Sequence, residues 1–450
     1  MQTQIQILLN GEPRVLPRDT VPTVTLLDWL REQGLTGTKE GCAEGDCGAC
    51  TVVLEGADGS RTPINACLCA MGQLHGRAVR TVEGLGADHP LPRVLAESDG
   101  TQCGFCTPGI VMSAWAHTRE GGEVHEALAG NLCRCTGYRP ILDAIARMED
   151  DAAPAPALPR PDSAKFGGFH LPASLDEALA LRAVRPEAWV LMGGTDLGLR
   201  LSEHREQPEH VICLLNVAEM QGITATPTGW RIGAAASYAE LLRLCRDEAT
   251  LAPLVPYFAR LGSRQIRGLG TVAGNLGTAS PIGDSLPVLI ALGAEVELAH
   301  LKGARRLAVE EFLTGYRQTA LQPHELITAI HLPRPPAGAF LAAEKLSRRH
   351  DQDISAVSLA ACIEMEGGVV RAARLAFGGM DATARRSAPA EAALIGRALD
   401  DAALRAAGDA LDFTPMSDWR GSAAYRLEAA RGLLRRLALR QAGLQAEVFA

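Results

Sequence analysis

The chain has 450 residues, 47% of them hydrophobic against 21% charged, and a formal net charge of −8. That length allows about three domains, each with its own core, and the acidic balance argues against nucleic-acid or anionic-membrane partners. The N-terminus MQTQIQILLN lacks the basic and apolar regions of a signal peptide, and no uninterrupted apolar run reaches the roughly 20 residues a bilayer requires, so a cytoplasmic protein is expected.

The opening QIQILLNGE alternates polar and apolar residues and then turns at Asn10-Gly11, which predicts a hairpin. TVTLLDWLREQGL has helical spacing, with Leu26, Leu27, Trp29 and Leu30 expected to face a core. TVVLEGADGSRTPINACL predicts a second hairpin that loops at Asp58-Gly59. From about residue 79 the pattern turns helical: PGIVMSAWAHTRE follows Cys106 and GYRPILDAIARMED follows Cys135. Thr107 and Thr136 are expected as N-caps, and Pro108 and Pro140 stand near the first turns, where a missing N–H costs least.

Residues 151–164, DAAPAPALPRPDSA, predict an extended linker, and a separate unit is expected beyond it. That second region carries helical stretches (SLDEALALRAV, YAELLRLCRDEA), strand-like runs (AWVLMGG, EHVICLLNV) and glycine-rich loops. After about residue 337 a smaller α+β domain is expected, ending in the amphipathic helix YRLEAARGLLRRLALRQAGL.

Nine of the twelve cysteines fall in the first third, and eight of these, all but Cys69, form two groups of four. Cys42, Cys47, Cys50 and Cys67 have the C-x4-C-x2-C spacing with a distant fourth that suits a plant-type [2Fe–2S] cluster. Cys103, Cys106, Cys133 and Cys135 form a C-x2-C and a C-x-C pair at two expected helix starts, which could face one another across a shared cluster. Gly41, Gly45 and Gly48 leave backbone N–H groups free to point at sulfur. Zinc is the alternative, because close cysteine pairs also bind it; the first quartet fits zinc's two-pair habit poorly. Cys69, Cys213, Cys245 and Cys362 read as buried apolar residues.

VLMGGTDLGLR places Gly193-Gly194-Thr195-Asp196 after an expected strand, where consecutive amides could cradle a pyrophosphate. A plain turn is the commoner meaning of such a loop, and the pattern is not G-x-G-x-x-G. LGTVAGNLGTASPIGDSLP, residues 269–287, is expected to be a long functional loop.

GTKEGCAEGDCGACTVVL, NACL, TQCGFCTPGI and GNLCRCTGYRPIL together resemble the iron–sulfur region of the xanthine dehydrogenase/aldehyde oxidase family of molybdenum hydroxylases. The two glycine-rich stretches, EKLSRRHDQDISAV and LAFGGM extend the resemblance over nearly the whole chain. It implies an α+β multidomain protein: a plant-ferredoxin-like β-grasp [2Fe–2S] domain (1–78), a helical-bundle [2Fe–2S] domain (79–150), a linker (151–164), a vanillyl-alcohol-oxidase/MurB-like FAD domain (165–336) and a C-terminal α+β flavoprotein domain (337–450). Both quartets are then cluster ligands. FAD contacts are implied at Val190, Leu191, Met192, Gly193, Gly194, Thr195 and Asp196, at Thr271, Gly274, Asn275, Thr278, Ser280 and Asp284, and at Ile354 and Arg371. In relatives that use NAD, Phe is common where this chain has Leu261.

No molybdopterin-sized region follows in this sequence. The resemblance therefore implies that the hydroxylating centre lies on a molybdopterin-binding large subunit, as an (αβ)2 heterotetramer, with no catalytic residue on this chain. Electrons would pass from molybdenum to the second quartet's cluster, the first, FAD and NAD during oxidation of hypoxanthine or xanthine to urate. Aldehydes or other N-heterocycles are alternative substrates, and a zinc-stabilised scaffold is the non-enzymatic alternative.

Overall fold

The computed structural model describes residues 4–151, 154–157 and 162–444; within the expected linker, 152–153 and 158–161 lie outside the described residues. The chain divides into two compact units. One consists of Met1–Met220, Ser237–Ala239 and Gly262–Thr271, the other of Gln221–Ala236, Glu240–Leu261 and Val272–Ala450.

The first unit opens with a five-stranded β-grasp sheet built from β1 (Gln6–Leu9), β2 (Glu12–Val15), β3 (Thr51–Glu55), β4 (Arg61–Asn65) and β5 (Ala78–Arg80), in the order β2-β1-β5-β3-β4. β1 and β2 pair through a two-residue turn in which Asn10 (φ 55) and Gly11 (φ 85) both have left-handed backbones, the geometry that matches strand twist in a tight hairpin. Helix α1 (Leu26–Glu32) is capped by Thr25, whose side chain accepts from Asp28 N, and buries Leu26, Leu27, Trp29 and Leu30 as expected. β5 runs parallel to β1 and antiparallel to β3, so the expected domain boundary after residue 78 falls inside a strand of the first sheet.

Four helices follow: α2 (Pro90–Glu97), α3 (Thr107–Glu120), α4 (Val124–Leu128) and α5 (Arg139–Ile145). The expected threonine caps are not formed. Cys106 occupies the N-cap of α3, and Thr107 is its first residue, with its hydroxyl 2.5 Å from Thr101 Oγ1. At α5 the N-cap is Tyr138, with φ 69, and Thr136 Oγ1 instead accepts from Tyr138 N at 3.1 Å. Thr107 is already the first helical residue and Thr136 stands two residues before the N-cap, so neither occupies the position whose side chain serves the second or third helical N–H.

The first strands beyond the linker fall within the first compact unit. Strands β6 (Ala164–Phe166), β7 (Phe169–Leu171), β8 (Trp189–Leu191) and β9 (Val211–Cys213) make a sheet of order β6-β7-β9-β8. Their apolar faces share one core with the β-grasp: Phe166, Phe169, Leu171, Leu191 and Val211 lie in a continuous buried cluster with Leu26, Leu30, Leu68 and Met71. Phe169 packs on Gly72, where an added Cβ would stand 2.7 Å from the ring. The start of the linker is pinned too: Trp115 Nε1 donates to Asp151 Oδ2 at 2.8 Å, and buried Arg61 pairs with Asp150 and Asp151.

The second unit holds an antiparallel sheet of order Ile223–Thr226, Gly229–Gly233, Leu326–Pro333, Glu295–His300 and Gly303–Ala308. A second antiparallel sheet has the order Phe340–Leu346, Val357–Glu366, Val369–Gly378 and Arg385–Arg386. The C-terminal helix Ala423–Gln441 lays Ala430, Leu433, Leu434 and Leu437 into that sheet's core, the spacing of one helical face. The supposed long loop at 269–287 is largely helical, with Val272–Thr278 and Ser285–Ala291 leaving only a short connection. Buried Val272, Ala273 and Leu276 supply the packing that outweighs the low helix propensity of its glycines. Among the described residues no helix is long and apolar enough to cross a membrane.

Two outcomes follow from this packing. Phe169→Ala should cost about 3–5 kcal/mol, and it should shift unfolding of the β-grasp together with its own sheet; denaturation followed at the two regions separately would contradict the shared core if the β-grasp transition did not move. Burial pushes the thiols of Cys69, Cys213 and Cys245 up to about 12 and that of Cys362 to about 11, from an ordinary 9.0. The stability tied to those neutral thiols is full below pH 9 and is lost as pH rises through the folded values. Alkylation at pH 9 should therefore spare all four in native protein and reach them only after unfolding, and rapid native labelling would contradict it.

Candidate functional site

The first quartet is assembled by a loop that folds back on its own sulfurs. Glu44 N and Cys47 N each donate to Cys42 Sγ at 3.3 Å, and Cys42 N donates to Cys47 Sγ at 3.3 Å. Gly45 (φ 83) and Gly48 (φ 66) have left-handed backbones, as does Ala43 (φ 60), which the sequence did not single out. Gly41 serves differently: a Cβ there would lie 2.7 Å from Cys47 Sγ. Cys67 arrives from the short turn Ala66–Leu68 after β4 and lies in thiol contact with Cys50. Contact with the Cys47 thiol, helped by the N–H groups of Glu44, Cys47 and Asp46, holds Cys42 down to about 5, and its partner is driven up.

The second quartet pairs across the helix starts. Cys103 contacts Cys135, and Cys106 contacts Cys133. The Phe105 N–H, then the Cys135 thiol, lowers Cys103. Burial opposes ionisation of Cys133, but hydrogen bonds from Thr136 and the backbone outweigh it and its value falls. Cys103 and Cys135 are exposed, and Cys133 is buried.

In both quartets the thiols are hydrogen-bonded in pairs, and each pair also feels the charge of the other. Among the described residues no group of three or more Cys, His, Asp or Glu converges on a single point. Four cysteines serving two irons need two at each metal, whereas a structural zinc gathers four ligands around one. With N–H donors turned towards sulfur, the residues present fit a two-iron cluster in each quartet.

The flavin candidates fall on both units and are placed here within each. In the first, Val190 and Leu191 end β8, Met192 O accepts from Gln73 Nε2 at 2.9 Å, and Thr271 Oγ1 stands 4.0 Å from Met192 Sδ. Gly193 is required by packing, since a Cβ would fall 1.8 Å from Leu269 O. Gly194 has φ 78, and Thr195 and Asp196 lead into the helix Leu197–Ser202.

In the second unit, Thr278 Oγ1 bonds Gly274 O at 3.0 Å, Asn275 Oδ1 accepts from Ser285 Oγ at 2.7 Å, and Ser280 O accepts from Gly283 N at 2.9 Å. Asp284 is held by Lys345 Nζ at 2.6 Å and Ser355 Oγ at 2.5 Å, with Tyr257 OH on its carbonyl at 2.8 Å. Lys345 is almost fully buried, a residue that sequence reading passed over inside EKLSRRH although a lysine flanked by buried strand positions was the available signal. Ile354 is exposed beside Ser355. Arg371 is not brought to this cluster: it pairs with Glu364 at 3.9 Å, about 25 Å along its strand from Gly379, whose N–H bonds Pro281 O at 2.8 Å. Phe258 is buried edge-on to Tyr257, and Leu261 is buried nearby in the chain.

Four family models match along the chain. They are the 2Fe-2S iron-sulfur cluster binding domain (9–72), the [2Fe-2S] binding domain (81–146), the FAD binding domain in molybdopterin dehydrogenase (164–335) and the CO dehydrogenase flavoprotein C-terminal domain (342–441). Xanthine dehydrogenase 1 of Arabidopsis thaliana is 31% identical over 88% of this chain and 36% of its own length, so the chain spans about a third of that curated relative. Among solved structures, a chain of the carbon monoxide dehydrogenase of Hydrogenophaga pseudoflava is 31% identical, with a TM-score of 0.57 over 60% of this chain and 95% of that one. A chain of quinoline 2-oxidoreductase from Pseudomonas putida 86 is 26% identical, with a TM-score of 0.55 over 63% and 99%. With [2Fe-2S] and FAD-binding domains in this succession, the chain belongs to the molybdenum hydroxylase family, as one of its iron–sulfur/flavin electron-transfer chains.

Proposed function

We propose that this chain is the electron-transfer subunit of a xanthine dehydrogenase-type enzyme. It works with a molybdopterin-binding large subunit in an (αβ)2 assembly, and electrons from hypoxanthine or xanthine reach NAD. The observation that carries the electron-transfer role is the succession of two matched [2Fe-2S] domains and an FAD-binding domain, with backbone N–H groups turned onto the Cys42 and Cys47 sulfurs. Cys42 with Cys47 and Cys50 with Cys67 would hold the two irons of one cluster; Cys103 with Cys135 and Cys106 with Cys133 would hold those of the other. Bound clusters supply one-electron transfer, and bound FAD links it to the two-electron chemistry of NAD.

The chain's own residues set the conditions for that chemistry. N–H groups at Cys42, Glu44 and Cys47 offset negative charge on sulfur and would raise the reduction potential. Flavin contacts are assigned to residues 190–196 and Thr271, and to Gly274, Asn275, Thr278, Ser280 and Asp284, with Ile354 nearby in the chain and Lys345 added as the residue that orients Asp284. The match of the FAD-binding family model across 164–335 supports this assignment. The curated relative supports a purine substrate. The likeness to quinoline 2-oxidoreductase favours a second reading, in which the same subunit serves another N-heterocycle.

Metal and labile-sulfide analysis should give about four irons and four sulfides per chain; zinc without sulfide would reject the assignment. Cys135→Ser should abolish one electron paramagnetic resonance signal and spare the other. The isolated chain should pass electrons from NADH to a dye but not hydroxylate xanthine, and xanthine turnover by this polypeptide alone would contradict a separate hydroxylating subunit. Gly194 has a left-handed backbone, so a Val there is strained with or without flavin. The cleaner probe is Thr195→Ala, which should lower FAD per iron in folded protein; an unchanged ratio would remove that loop from the cofactor site.

A further inference from the structure

Gln265, on the helix Arg264–Leu269, is completely buried among residues of the two cysteine domains. Its Nε2 lies 3.1 Å from each of Thr51 Oγ1, Ser113 Oγ and Asn131 Oδ1. The hydroxyl protons around it are already committed. Thr51 Oγ1 donates to Gly48 O and Ser113 Oγ to Asn131 Oδ1, each at 2.6 Å. Asn131 Nδ2 donates to Gly48 O at 3.0 Å and to Thr51 Oγ1 at 3.3 Å. Both hydroxyl oxygens can therefore only accept from Gln265.

Each member of this knot lies on a segment that carries a candidate ligand. Gly48 follows Cys47, Thr51 follows Cys50, Asn131 stands two residues before Cys133, and Ser113 is on the helix whose N-cap is Cys106. The two cysteine loops also touch through their backbones. Leu132 N donates to Cys47 O at 2.9 Å, so one hydrogen bond and one peptide link separate Cys47 from Cys133. The approach is close enough to require glycine, because a Cβ on Gly48 would fall 2.0 Å from Gly130 O and one on Gly130 2.1 Å from Gln265 Oε1. Among the described residues that Oε1 is buried with no hydrogen-bond partner, an arrangement that calls for an explanation. An apolar side chain would fill this space without stranding an oxygen, so what the amide contributes here is its N–H donors.

We propose that Gln265 is a positioning residue for electron transfer: from outside both cysteine domains, its amide locks the Cys47–Cys50 loop to the Asn131–Cys133 loop and so fixes the spacing of the two clusters. This rests on the cluster assignment above. Transfer between centres falls exponentially with the gap, and magnetic coupling falls with its cube, so a loosened knot is visible in both.

The test uses the full chain with its clusters, reduced by dithionite, and reads the low-temperature magnetic splitting between the two [2Fe–2S] signals. Gln265→Met removes both donors at similar volume. It should retain full iron and sulfide and both signals, with the resolved splitting lost or smeared. Unchanged splitting in iron-replete Gln265→Met, with only a lower melting temperature, would overturn the proposal in favour of a purely stabilising knot. If Gln265→Met loses a cluster, Ser113→Ala takes its place, since it deletes one acceptor of Gln265 and the donor to Asn131 while leaving the amide; altered splitting there supports the clamp, and unchanged splitting overturns it. Absence of [2Fe–2S] signals from the unsubstituted chain would instead refute the cluster assignment.

Discussion

Two thiols held in contact share one proton readily, but as two thiolates they repel, and a fold that brings eight thiols together in pairs must compensate for it. In the first quartet the compensation is backbone N–H groups turned onto sulfur by left-handed residues at 43, 45 and 48. In the second it is the backbone N–H groups of Phe105, Cys135 and Thr136 and the Thr136 hydroxyl. A metal that takes thiolates in twos relieves the repulsion, and the N–H groups already turned onto the Cys42 and Cys47 sulfurs suit the loop to that charge.

The same constraint explains why the first unit extends beyond the cysteine domains. Loops that must stay in register need a rigid surround, and the β-grasp alone is too small to supply one. The sheet of residues 164–213 completes its core, while the helix at 264–269 reaches in with Arg264 and Arg267, both on Glu126, and with Gln265 on the knot between the loops. The candidate flavin loop at 190–196 grows out of that shared core, so one packed body carries the cysteine pairs and the strand from which the flavin loop leaves.

Much of this was legible in the sequence for identifiable reasons. Asn10-Gly11, the face of α1 and the helices after Cys106 and Cys135 are local signals, set by dihedral preference and periodicity. The spacing of the cysteines set them out in two groups of four, and the family resemblance, rather than spacing alone, made both groups cluster ligands. The continuous core was not, because an Ala/Pro-rich stretch marks where the backbone runs extended and says nothing about whether the segments on either side pack together. Nor was the helix at 272–278, where glycine content argued for a loop and tertiary burial of Val272, Ala273 and Leu276 decided otherwise. Arg371 shows the limit of matching by position: its strand carries it far from Asp284, and the cation that meets this carboxylate is Lys345.

The central claim is that each quartet holds two metals with two cysteines apiece. X-ray absorption of the purified chain at the iron and zinc edges tests it most directly. The account predicts iron surrounded by four sulfurs with a second iron as its next neighbour, and no stoichiometric zinc. Zinc in a four-sulfur shell with no metal neighbour would contradict it.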